Sequence, residues 1–172
     1  MRLFIAVNFS PATQAKLVGL QGDLRARCAG GSFSQLENLH LTLAFLGEVE
    51  PGQVRVVQTA LERVDFQPFA LTVDKVGCGR RHGRALWWAG LAPSKPLMAM
   101  QRGVVAELGA SQISFDARAY QPHITLAREV TGEVAPWPVE PFTEQVTTFD
   151  LMLSQRAEGR LTYSSLFTRT AS

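Results

Sequence analysis

Hydrophobic positions along the chain switch repeatedly between a strand period and a helix period, and the switches divide it into elements. Leu3-Phe4-Ile5-Ala6-Val7 is apolar without alternation, which predicts a short strand covered on both faces. Ser10-Pro11 supplies an N-cap and a first-turn proline. Leu17, Leu20 and Leu24 follow on one helical side, so a helix is expected to about Arg27, broken by Gly30-Gly31-Ser32. Val54, Val57, Leu61 and Val64 predict a second helix over 53–64, and Leu97, Met100, Val104 and Leu108 a third over 96–109, with Gly109 as its stop. Phe69 to Val76 alternates as a strand. Gly77 to Arg84 reads as a polar, glycine-punctuated loop, and Ala85 to Ala89 as the returning strand of a hairpin. Gly132 to Pro141 holds three prolines and is expected to be an extended surface loop. Strands over 147–155 and 161–167 join across an Ala157-Glu158-Gly159 turn. The order β-α-β-α-β, then β-α-β-β-β, repeats in outline with no linker. One α+β domain spanning 1–172 and made of two similar, intertwined lobes is therefore expected.

Two further strands carry a repeated phrase. Leu39-His40-Leu41-Thr42-Leu43-Ala44-Phe45-Leu46-Gly47 recurs as Pro122-His123-Ile124-Thr125-Leu126-Ala127-Arg128, with the histidines 83 positions apart. A single His-x-Thr-Leu arises by chance in about one chain of this length in fifty, and a pair far more rarely. Strand alternation puts His40, Thr42 and Ala44 on one face and Leu41, Leu43 and Phe45 on the other, so parity assigns Phe45 to the core. His123, Thr125 and Ala127 likewise oppose Ile124 and Leu126. If the two strands lie in equivalent lobes, both His-Thr faces converge on one cleft. Arg128 falls on the face opposite His123 and reaches that cleft only if the strand ends or bulges near Ala127, with a salt bridge within the fold as the alternative.

Bulk properties exclude several classes. Of 172 residues, 46% are hydrophobic, enough for a sizeable core. A net charge of +2 gives no strong global attraction to nucleic acid. Cys28 and Cys78 are far apart and lack metal-ligand or disulfide-framework spacing. The early run Leu3–Val7 is too short for a signal-peptide core or a membrane span, so a cytoplasmic protein with no membrane partner is expected.

Two imidazoles facing one site suit acid–base work at neutral pH: one takes a proton from water while the other protonates a leaving oxygen. Paired hydroxyls can donate to the non-bridging oxygens of an anion, and Arg128 can add fixed charge. The set fits in-line displacement at a phosphodiester without a metal or cofactor, with a cyclic 2′,3′-phosphate as an apt substrate. A di-histidine metal site ranks low, because neither strand carries a carboxylate or Cys partner. His82 reads as a solvated loop residue. Of Trp87 and Trp88 one packs inward; for the other, packing on an exposed strand is expected ahead of stacking on a base. Arg80, Arg81 and Arg84 read as a solvated hairpin tip, with a phosphate contact at the cleft rim as the alternative.

At these residues the sequence resembles the two-histidine (2H) phosphoesterases, specifically the RNA 2′,3′-cyclic phosphodiesterases also called 2′-5′ RNA ligase-like proteins. Besides the two motifs, Arg2-Leu3-Phe4-Ile5-Ala6-Val7, Arg84-Ala85-Leu86-Trp87-Trp88 and Tyr163-Ser164-Ser165-Leu166 carry the likeness, which covers nearly the whole chain. The resemblance implies a bilobal, pseudo-twofold α+β fold, with two antiparallel sheets flanking a central cleft and helices outside. It implies metal-independent, cofactor-free hydrolysis of RNA 2′,3′-cyclic phosphate ends to 2′-phosphate ends, with a weak reverse 2′-5′ joining of tRNA halves. The implied partners are RNAs with such ends, and the implied state is a monomer. The roles carried over are catalysis for His40 and His123 and phosphate binding for Thr42, Thr125 and Arg128, with Phe4 near the cleft. His40 is expected to protonate the 3′ oxygen and His123 to activate water. The competing readings are hydrolysis of small cyclic nucleotides such as ADP-ribose cyclic phosphate, and a non-catalytic module that binds RNA ends.

Overall fold

A computed structural model describes residues 1–81 and 84–172, with Arg81 described by its backbone alone. His82, read above as solvated, lies outside the described residues. Among the described residues, nine strands and three α-helices follow in the order β1 (Arg2–Asn8), α1 (Pro11–Arg27), β2 (Gly30–Phe33), β3 (His40–Glu48), α2 (Val54–Glu62), β4 (Phe69–Arg81), β5 (Arg84–Leu91), α3 (Lys95–Ala110), β6 (His123–Thr131), β7 (Trp137–Val146), β8 (Thr148–Ala157) and β9 (Arg160–Thr170). The strands form two wholly antiparallel sheets, β3-β1-β8-β9 and β2-β6-β5-β4-β7. Both ends of the chain build the first sheet and its middle builds most of the second, so the lobes interweave rather than follow one another.

The helices start where the sequence supplies caps. The Ser10 hydroxyl accepts from the Thr13 amide at the head of α1, and the Ser94 hydroxyl accepts from the Leu97 amide at the head of α3. Each helix turns its apolar side to the sheets: Leu17 and Leu24 of α1, Leu61 of α2, and Leu97, Val104 and Leu108 of α3 are fully buried. They join Leu41, Ile124, Leu126, Phe149 and Leu151 in one continuous core reaching both sheets. Burial of each such aliphatic side chain contributes roughly 2 kcal/mol. The sheet faces turned away from this core carry the histidines. Among the described residues, no helix is long and apolar enough to cross a membrane.

Several sequence expectations are corrected. Gly30–Phe33 does more than break α1: its backbone pairs with β6. The segment 77–81 is strand, and β4 runs on to Arg81 before the hairpin. The proline-rich stretch is partly strand as well. Trp137–Val146 forms an edge strand on β4, and residues 139–141 bulge out between Pro138, which pairs with Lys75, and Phe142, which pairs with Val73. Edges and bulges are where prolines are tolerated, because no ladder hydrogen bond is lost there. Gly109 does not stop α3; Gln112 takes the left-handed conformation beyond it (φ 58°), and the Ile113 amide returns to the Leu108 carbonyl. The β8–β9 hairpin closes through Glu158 and Gly159, both at positive φ, a turn twist that suits antiparallel strands.

Candidate active site

Strands β3 and β6 repeat one another in more than sequence. From His40 to Phe45 and from His123 to Arg128 the burial pattern is identical: two half-buried polar residues at the His and Thr positions, apolar burial between and after them, then an exposed residue. The cause is a shared irregularity. In β3, Ala6 of β1 pairs with Thr42 and Ile5 with Ala44, so Leu43 is an extra residue. In β6, Trp88 of β5 pairs with Thr125 and Trp87 with Ala127, so Leu126 is the extra residue. A bulge sends two successive side chains to one face and shifts the parity of everything after it. Leu43 and Ala44 therefore both enter the core, as do Leu126 and Ala127.

The bulge at Leu126 returns Arg128 to the face that carries His123 and Thr125, the condition under which the sequence allowed it to reach the cleft. The bulge at Leu43 overturns the core assignment of Phe45. Its side chain is 43% exposed, and its ring lies 6.4 Å from that of Phe4.

Both imidazoles are held in the same way. His40 donates from Nδ1 to the Asn38 carbonyl (2.7 Å), and His123 donates from Nδ1 to the Gln121 carbonyl (2.8 Å). A carbonyl can only accept, so each ring keeps its proton on Nδ1 and leaves Nε2 for chemistry. The Thr42 hydroxyl bonds His40 Nε2 at 2.9 Å. Phe4 and Tyr163 enclose the His40 ring at 4.9 and 5.3 Å between centroids, and the Trp88 ring lies 5.6 Å from His123.

Burial pushes the His40 pKa down to about 4. The bond to the Asn38 carbonyl opposes that shift, while the positive charges of Arg128 and His123 add to it. Those last two influences cross from β6 to β3, so the groups address one space. Tyr163 shows the same convergence: burial raises its pKa, while Arg128 of the second sheet and Arg2 of the first pull it down. Strands β3 and β6 are in contact with one another. The Tyr120 hydroxyl, just ahead of β6, donates to the Thr42 carbonyl at 2.8 Å and ties the two motif strands together. Burial raises its pKa, so the proton stays in that bond.

His40, Thr42 and Phe4 thus lie together on the first sheet, His123, Thr125 and Arg128 share one face of β6, and the charges of Arg128 and His123 are felt at the His40 ring. Arg84 forms an exposed ion pair with Glu129 (3.1 Å), and Arg80 is exposed on β4. Sequence reasoning did not find Tyr120, Tyr163 as a neighbour of His40, or Phe45 as a cleft residue. Among the described residues, no three His, Cys, Asp or Glu side chains cluster as metal ligands would. Imidazoles beside hydroxyls and a guanidinium are groups suited to proton transfer at an anion.

A family model described as "LigT like Phosphoesterase" matches residues 7–87. The chain is 30% identical to the RNA 2′,3′-cyclic phosphodiesterase of Escherichia coli K12, over 96% of this chain and 93% of that one. It is 31% identical to the protein of the same name from Geobacillus stearothermophilus, over 80% of this chain but 44% of that longer relative. The crystal structure of E. coli LigT complexed with 3′-AMP superposes with a TM-score of 0.85 at 27% identity, covering 99% of this chain and 98% of the other.

Proposed function

The chain belongs to the LigT-like phosphoesterase family; from that premise we propose that it is an RNA 2′,3′-cyclic phosphodiesterase that opens RNA 2′,3′-cyclic phosphate ends to 2′-phosphates by metal-independent acid–base chemistry between His40 and His123. The observation that carries this reading is the matched pair of Nδ1-anchored imidazoles, each presenting Nε2 from its own sheet. In-line attack at phosphorus needs a base on the entering side and an acid on the leaving side, and two imidazoles carried by separate sheets suit that division of roles.

In this mechanism His123 Nε2 takes a proton from water as the water oxygen bonds to phosphorus. His40 gives its Nε2 proton to the departing 3′ oxygen, which leaves the phosphate on the 2′ oxygen. Thr42, Thr125 and Arg128 bind the non-bridging oxygens. His40 is neutral at pH 7 in the free protein. Its acid role therefore depends on the anionic substrate, whose charge beside the ring restores its affinity for a proton. A 2′-5′ joining reaction, attack of a 5′-hydroxyl on the cyclic phosphate with the 3′ oxygen again departing, uses the same two proton transfers with an RNA hydroxyl in place of water. RNA fragments with cyclic or 2′-phosphate ends, including tRNA halves, are the proposed partners, met in the cytosol by one catalytic domain acting as a monomer.

Product analysis of an oligonucleotide ending in a 2′,3′-cyclic phosphate, in the presence of chelator, tests the reading. A 2′-phosphate product from the wild type and loss of turnover in His40→Ala support it. A 3′-phosphate product, or activity abolished by chelator, contradicts it. Binding without turnover in the intact protein would make the chain an RNA-end binding module instead.

A further inference from the structure

Trp87 and Trp88 are adjacent on β5 and meet opposite fates. Trp87 is buried in the core against Trp137, with ring centroids 6.1 Å apart. Trp88 stands on the other face, half-buried, beside His123. What lies under it is bare backbone. A Cβ added to Gly77 would come within 2.8 Å of the Trp88 indole nitrogen, and one added to Gly79 within 2.7 Å of its benzo ring. The indole thus lies across β4 over two positions that carry no side chain. Neither glycine has a positive φ, so backbone conformation does not require glycine at either site. The requirement is space for the ring. An aromatic ring seated on glycine backbone is a rigid apolar surface with little rotamer freedom left to lose when something lands on it.

Resting on the proposed function, we infer that Trp88 is the stacking platform for the base of the terminal nucleotide whose cyclic phosphate lies between the imidazoles. The placement fits: His123 borders the phosphate, and a nucleobase sits one ribose away from that phosphate. Stacking on the π-face is tolerant of base identity, so the platform holds any terminal base, with the larger rings of purines favoured. Trp88 is then a positioning residue, acting on the ribose phosphate through the base attached to it.

Equilibrium binding separates this from a packing role and from the proposed reaction. The probes are adenosine 2′-phosphate and its base-less counterpart, methyl riboside 2-phosphate, measured by calorimetry. Wild type should bind the nucleotide about 5- to 100-fold more tightly than the base-less phosphate. Trp88→Ala should lose that difference while binding the base-less phosphate within about twofold of wild type, and Trp88→Phe should keep most of it. Gly79→Val, which leaves the indole in the chain but denies it its seat, should lose it too. Equal weakening toward both probes in Trp88→Ala, or no base-dependent difference in wild type, overturns the platform. A base-dependent difference that vanishes in Trp88→Ala, in a protein that does not turn over cyclic phosphates, would keep the platform and refute the reaction.

Discussion

Phe45 and Arg128 occupy equivalent positions in the two halves of the site: each lies five residues after its histidine, and each is turned out of the core by a bulge at the preceding leucine. The backbone there is pseudo-symmetric while the chemistry is not, with an aromatic ring on one side and a guanidinium on the other. At this pair of positions, fixed charge toward a phosphate between the imidazoles comes from the β6 side. Arg128→Met should lower kcat/KM by about 100-fold, and Arg128→Lys should recover only part of it, because a point charge does not replace the guanidinium fork. Arg128 is exposed, so thermal melting should shift little. Steady-state kinetics beside a melting curve check both statements.

The lowered pKa of His40 makes stability depend on pH in a definite direction. Unfolding returns the ring to about 6.5, so between pH 6.5 and about 4 the unfolded chain binds the extra proton. Stability is complete above that window and is lost as pH falls through it. The loss is at most about 3 kcal/mol, reduced by solvent at the open side of the ring. Melting temperatures from pH 7 to pH 4 should fall more steeply in wild type than in His40→Gln.

The same shift separates free enzyme from complex. The alkaline limb of kcat/KM reports the free protein, in which the His40 proton is held weakly, and that of kcat reports the complex, in which the phosphate strengthens the hold. The kcat limb should lie at higher pH than the kcat/KM limb. Coincident limbs would mean that substrate charge does not restore the acid.

Tyr120→Phe removes one hydrogen bond, from its hydroxyl to the Thr42 carbonyl, and leaves the ring. A stability loss of about 1 kcal/mol follows from that bond. Because the bond links the segment ahead of β6 to β3, kcat should fall several-fold with KM nearly unchanged. Chemical denaturation and kinetics on the same preparation check this.

The strands, caps and doubled motif could be read from the sequence because each is a local pattern: alternation, Ser-Pro, or a repeated His-x-Thr-Leu. The bulges could not. Leu43-Ala44 and Leu126-Ala127 look like ordinary strand residues, and which of them is skipped is decided by the partner strand. Parity carried through Leu43 therefore misplaced Phe45, while for Arg128 it left the outcome conditional on a bulge, which pairing with β5 supplies. Gly30–Phe33 and Trp137–Val146 lack strand character of their own and become strands by pairing at the two edges of the second sheet. Gly77 and Gly79 read as loop residues because their role, making room for Trp88, exists only once β4 and β5 are paired.

The measurement closest to the central claim is the pH–rate profile of His40→Ala and His123→Ala on an RNA 2′,3′-cyclic phosphate. Each variant should fall by about 100- to 10,000-fold. Losing the base, His123, should abolish the acid limb, and losing the acid, His40, the alkaline limb. Two variants that lose the same limb, or either one retaining wild-type turnover, would contradict the account.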